Sequence, residues 1–330
     1  MVVLPVVFGV ERSDMKIQCF AIVLLLLTIN ANVKAQTSGG GVPAQAAPSL
    51  YHFSSVDMRT VIPFELSVDG IFFQLQLTGS SGQLWFSLDT GAGSSYLDSG
   101  VAKRLGLQTS GRGSVHGAGA GTVPVNFIES VTFELVGLTS SGHRVNTTDL
   151  TGLQGHHPMD GFLGYDFISR YVITLDYAAG KMTIADPSVF SYSGGGGVFP
   201  IKFRGKWPYI GGTIAVPGVK PETGEFLVDS GSGDAVDDPT ILKTTGPTRK
   251  VRTGVGLGQA GEGVLGRASY LQLGSFRLEA PTAACCSGNP DDMRKIGTEV
   301  LRRFTVILDY TRNRMILEPN SHFKDTFPDA

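Results

Sequence analysis

Polar and apolar residues alternate with a period of two along most of the chain, as in Phe72 to Leu77 and Tyr209 to Val216. That spacing puts successive side chains on opposite faces of an extended strand, so it predicts an all-β protein with few helices. Shorter apolar runs follow, Phe86-Ser87-Leu88 and Phe226-Leu227-Val228, and each ends in Asp-Thr-Gly or Asp-Ser-Gly. Farther on, VITLDYAAGKMTI and TVILDYTRNRMIL each read as two strands folded about a turn, at Ala178 to Gly180 and at Thr311 to Asn313.

These elements occur twice, in the same order. Gly164 and the residues after it align without a gap on Gly297 and its sequel, pairing Arg170 with Arg303, Leu175-Asp176-Tyr177 with Leu308-Asp309-Tyr310, and Met182 with Met315. Upstream, Phe86 to Gly93 matches Phe226 to Gly233. Repetition of this kind marks one supersecondary unit used twice. The expected division is a first lobe over 51–190 with Asp89, a Gly-rich linker over 191–198, and a second lobe over 199–330 with Asp229.

The amino terminus has a different pattern. An apolar stretch from Phe20 to Ile29 follows Lys16 and precedes Val33-Lys34-Ala35, which puts small residues at the positions a signal peptidase reads. A helix of that length rises about 15 Å, half the hydrocarbon thickness of about 30 Å. Residues 1–35 are therefore expected to be a secretory signal, the competing reading being an uncleaved anchor. Met15 begins the more conventional signal, which makes 1–14 an over-called start. Residues 36–50, rich in Gly, Ala, Ser and Pro, are expected to be a disordered spacer. The product would be secreted or periplasmic, without a membrane span after signal cleavage.

Composition narrows the function. Lys and Arg number 27 against 29 Asp and Glu, a formal charge of −2, so no basic field exists to hold nucleic acid. Of three cysteines, Cys19 lies in the signal, which leaves the neighbours Cys285 and Cys286 as free thiols and no disulfide framework. Gly256 to Gly261 spells a dinucleotide fingerprint without the flanking strand and helix that would make it one. His143, His156, His157 and Asp160 lack the spacing of a metal site. No cofactor and no metal are expected.

The doubled tripeptide carries chemistry. If the two loops meet, Asp89 and Asp229 share one proton, because two carboxylates about 3 Å apart cannot both ionise cheaply. The ionised member can take a proton from water as it attacks an amide carbonyl, while the protonated member donates to the carbonyl oxygen. Gly91 and Gly231 allow the tight turn, and the Thr90 and Ser230 hydroxyls can bond across to the opposite loop. The Ser232 hydroxyl would bond Asp229 and make it the ionised member.

With these motifs the chain resembles the pepsin and retropepsin superfamily of aspartic peptidases over about residues 60–318, and most of all exported bacterial aspartyl proteases with two retropepsin-like halves. The resemblance implies two pseudo-symmetric β-barrel lobes with a cleft between them, Asp89 and Asp229 as the catalytic pair, and a polypeptide substrate cut by a monomer without cofactor. It also implies an apolar-apolar-Gly element behind each loop. Phe162-Leu163-Gly164 fits, whereas in Lys295-Ile296-Gly297 the lysine departs from the pattern. The stretch Val115 to Gly121 takes the place of the flap, with Gly117, Ala118 and Gly119 as substrate-binding residues. Two other readings stay open: a peptide- or ligand-binding protein that has lost catalysis, and a glycosidase, whose acids would stand about 5 Å or more apart.

Overall fold

The computed structural model describes residues 50–329 apart from 68–69, 154–156, 255 and 287–293. The expected signal and nearly all of the spacer lie outside the described residues. Among those described, strands dominate and the α-helices are short, Ser99–Arg104, Tyr165–Ile168 and Thr298–Leu301. None of them is long and apolar enough to cross a membrane.

The all-β expectation holds, but the two pseudo-symmetric barrel lobes do not. The described strands form three sheets of nine, six and ten strands, the six-stranded one wholly antiparallel, and all belong to one compact unit. The nine-stranded sheet has edges at Tyr51–Phe53 and Ser110–Val115, and Val123–Leu135 also pairs with Leu138–Thr148 across it. The physical reason lies in the repeated hairpins. Instead of sealing its own sheet, Val172–Asp176 pairs antiparallel with Phe304–Asp309, with Ile173 opposite Leu308 and Leu175 opposite Val306. Their partners Lys181–Ala185 and Arg314–Pro319 flank them, so the six-stranded sheet is built from both copies. Gly197–Pro200, which overlaps the end of the stretch read as a linker, forms its edge against Arg314–Pro319.

The alternation read from sequence is the burial pattern of these strands. In Arg59–Pro63 exposed and buried residues alternate, while Val172, Ile173, Leu175, Val306, Leu308 and Met315 are almost wholly buried. One apolar core extends from Phe53 to Phe327 and takes residues from all three sheets. The turns fall where predicted. Gly180 and Asn313 adopt positive φ of 63° and 50°, conformations that glycine and asparagine tolerate. The repeated Leu-Asp-Tyr serves the hairpins: the Ala179 amide donates to Asp176 at 3.0 Å, and Asp309, fully buried, is paired with Arg312 and Arg314. The sulfurs of Cys285 and Cys286 are paired with each other, where free thiols were expected.

Because the central sheet belongs to both copies, they should unfold together. Leu308→Ala removes a core side chain and is expected to cost about 2 to 5 kcal/mol. In calorimetry it should lower one transition for the whole of the described region. Two separated transitions, with only the later-melting or earlier-melting one shifted, would contradict the shared core.

Candidate active site

Each candidate aspartate follows the end of a strand that is tied to its neighbour. Leu84–Leu88 runs parallel to Gly161–Leu163, and Glu222–Val228 runs parallel to Lys295–Ile296. The pairing continues into the loops, since the Asp89 amide donates to Leu163 at 2.9 Å and the Asp229 amide to Ile296 at 3.0 Å. The glycines behind the loops are required by space. A Cβ on Gly164 would lie 2.4 Å from the Ser94 carbonyl oxygen, and one on Gly297 would lie 2.3 Å from that of Asp234. Both glycines start helices whose next residues hold the loops: the Tyr165 amide donates to Ala92 at 2.9 Å and the Thr298 amide to Ser232 at 2.7 Å.

The two loops meet through a reciprocal set of buried hydrogen bonds. The Thr90 hydroxyl donates to the Val228 carbonyl at 2.6 Å and accepts from the Ser230 amide at 2.9 Å. Ser230 mirrors it, donating to the Leu88 carbonyl at 2.7 Å and accepting from the Thr90 amide at 3.1 Å. Thr90 and Ser230 are both buried, at 2% and 0% exposure, so these bonds are shielded from water. As a result each glycine faces the other loop's acid. A Cβ on Gly91 would stand 2.6 Å from Asp229 Oδ1, and one on Gly231 would stand 2.5 Å from Asp89 Cγ.

Both carboxyls are pushed up from the ordinary carboxylate range, Asp89 to about 8. For Asp89 burial is the main cause and the charge of Asp229 the second, opposed by the Gly91 and Ala92 amides and by Lys295. For Asp229 burial again leads, while Lys295, the Gly231 amide and the Ser232 amide oppose it. The environments differ. Asp89 Oδ1 is enclosed without a hydrogen-bond partner, whereas Asp229 Oδ2 has the Lys295 ammonium at 3.8 Å. Ser232 reaches Asp229 through its backbone amide, so the asymmetry between the acids comes chiefly from a lysine that the sequence reading treated only as a break in an apolar pattern.

The flap residues also meet a partner. Ser110–Val115 pairs with Val123–Leu135, Thr248–Thr253 pairs with Gly261–Arg267, and the segments between them touch. The Gly119 amide donates to Leu257, and Ala120 and Gln259 exchange amide-carbonyl bonds, all at 2.9 Å. Gly117 is packed against Leu257 and Gly256 against Ala118. The stretch that spelled a dinucleotide fingerprint is thus the counterpart of the first glycine-rich segment. Leu257 joins the apolar cluster of Phe72, Tyr96 and Phe162, to which Ala92 of the first Asp loop also belongs.

Other candidates resolve into structure. Asp98 caps Ser99–Arg104 by accepting from the Val101 amide at 3.0 Å, and Asp238 accepts from Thr240 at 2.8 Å. Both therefore mark helix starts and are buried there. His143 is buried between Ser140 and Asp166, while His157 bonds Glu65 and stacks on Trp85. His156 lies outside the described residues, and among those described no three metal-ligating side chains converge.

Removing the Thr90 hydroxyl strands the Val228 carbonyl and the Ser230 amide in a dry site. Thr90→Val should therefore cost about 2 to 4 kcal/mol in denaturant unfolding, and Thr90→Ser should recover most of it. Equal stabilities for Val and Ser at this position would refute the role given to the hydroxyl.

Comparison with known proteins agrees with the loop geometry over part of the chain. No curated protein matches it. Residues 74–167, which include Asp89, the first glycine-rich segment and Gly164, match the family model described as aspartyl protease. The chain therefore contains an aspartic-protease-like domain over those residues.

Proposed function

We propose that this protein is an aspartic-type endopeptidase in which Asp89 and Asp229 share a proton and activate water against a peptide carbonyl. The observation that carries the reading is the reciprocal bonding of Thr90 and Ser230, which turns the two carboxyls toward each other's loop. Burial together with mutual repulsion favours a single negative charge on the pair. One acid then serves as base toward water and the other donates to the carbonyl oxygen, with no covalent intermediate. Asp229 keeps 16% side-chain exposure, which leaves a face that solvent can reach. The glycine-rich segments at 117–119 and 256–258 would part to admit an extended polypeptide and offer it their backbone. An exported product is part of the same proposal and rests on the amino-terminal pattern.

The test is a mixed peptide library incubated between pH 3 and pH 7 and read for new termini. Wild-type protein should generate them and should be blocked by a statine-type mimic. Asp89→Asn and Asp229→Asn should each lower kcat/KM by about a hundredfold or more. Tight peptide complexes without new termini would replace this reading with that of a binding protein.

A stability effect accompanies the loss of activity. A raised carboxyl pKa in the fold means that the folded protein keeps a proton that the unfolded chain releases. Stability then declines as pH rises from the ordinary carboxylate value toward the raised one. Asp89→Asn, neutral throughout, should unfold at a higher temperature than wild type at pH 7 and should lose that advantage near pH 3. An advantage that is equal at both pH values would show that Asp89 does not carry the shifted titration.

A further inference from the structure

Lys295 stands where the first copy of the repeat has Phe162. Its strand, Lys295–Ile296, lies between Glu222–Val228 and Val236–Asp237, with Leu227 on one side and Asp237 on the other in register. The ammonium is one-fifth exposed and sits 2.9 Å from Asp237 Oδ2 and 3.8 Å from Asp229 Oδ2. A cation in an otherwise apolar position is costly unless it is paired, and here its partners are a carboxylate with no direct place in the proposed chemistry and one of the two candidate acids.

We propose that Lys295, clamped by Asp237, is a positioning residue for the acid pair that assigns the negative charge to Asp229 and the shared proton to Asp89. The inference rests on the aspartic peptidase reading above and adds to it the element that breaks the equivalence of the acids. Because Lys295 favours the anion of Asp229, the singly protonated pair survives to lower pH than it would without the cation.

The surrounding charges leave Lys295 in this role. Burial works against its charge, yet Asp237 and Asp229, with a smaller contribution from Asp234, hold it protonated above the ordinary lysine range. Neighbouring Arg294 is engaged by Asp238 at 3.0 Å and also pairs with Glu222, which Lys243 pairs as well. Glu225 is paired with Lys202 and Arg204, and Glu299, on the helix after Gly297, with Arg302. On the side of Asp89 stand Tyr96 and Tyr310, whose hydroxyls are kept protonated mainly by burial. Among the described residues Lys295 is thus the cation that bears on both acids, and it bears more strongly on Asp229 than Asp237 does.

The experiment compares pH profiles of kcat/KM for wild type, Lys295→Arg, Lys295→Met and the double variant Lys295→Met with Asp237→Asn. The double variant removes the clamp together with the cation, so it guards against a fold lost to an unpaired Asp237. In Lys295→Met the acidic limb should move up by about one pH unit or more, which is about a tenfold loss of rate on that limb. The double variant should move in the same direction by less, and Lys295→Arg should keep the wild-type limb. A purely structural lysine would lower rates at every pH and leave the limb in place, which overturns the proposal. In parallel, the carboxyl carbon of Asp229 is followed by NMR in ¹³C-aspartate-labelled protein, assigned by its loss in Asp229→Asn. Its titration should rise in Lys295→Met. A folded but inactive wild type would defeat the peptidase reading, and the NMR titration would still decide whether Lys295 holds the charge on Asp229.

Discussion

Four buried hydrogen bonds between Thr90 and Ser230 and the opposing backbones are the constraint on which the candidate site depends. Each hydroxyl both donates and accepts, so neither loop can satisfy its own polar groups without the other. Satisfied hydrogen bonds in a dry interior are worth far more as a set than broken, because every stranded partner costs its full desolvation. The loops are thereby kept at a separation where the glycines, lacking Cβ, lie against the opposite carboxylates. Larger residues would push the acids apart.

Bringing two acids into one partly buried place raises an electrostatic problem, and the surroundings answer it unevenly. Backbone amides from Gly91 and Ala92 support Asp89, and those of Gly231 and Ser232 support Asp229. That support is nearly balanced, whereas Lys295 is not. Its position on the strand behind the second loop gives Asp229 an ammonium neighbour, and the equivalent position behind the first loop holds the aromatic Phe162. A duplicated scaffold so becomes chemically unequal through one substitution in an element that otherwise only packs.

Several parts of this arrangement were legible before any coordinates. Gly164 and Gly297 are glycines because carbonyl oxygens crowd them, and the repeat marked both. The meeting of Gly119 with Leu257 was not legible, because each glycine-rich segment lacks a side-chain pattern that names its partner. The closed barrels expected from the resemblance also failed. Alternation says which face of a hairpin is buried, and it is silent on which sheet the hairpin joins. Here Val172–Asp176 found Phe304–Asp309, and both copies came to share one sheet.

The amino-acid sequence by itself determined the β character and the repeated order of strand, Asp-containing loop, glycine and hairpin. These are properties of local spacing, set by the two-residue period of a strand and by the few residue types that fit tight turns. Only the tertiary structure decided that the last hairpins of both copies merge into one sheet, that the glycine-rich segments join at their tips, and that Asp237 fastens Lys295 beside Asp229. Those outcomes depend on which distant surfaces come into contact, and pairing energies between residues more than fifty positions apart leave no periodic trace along the chain.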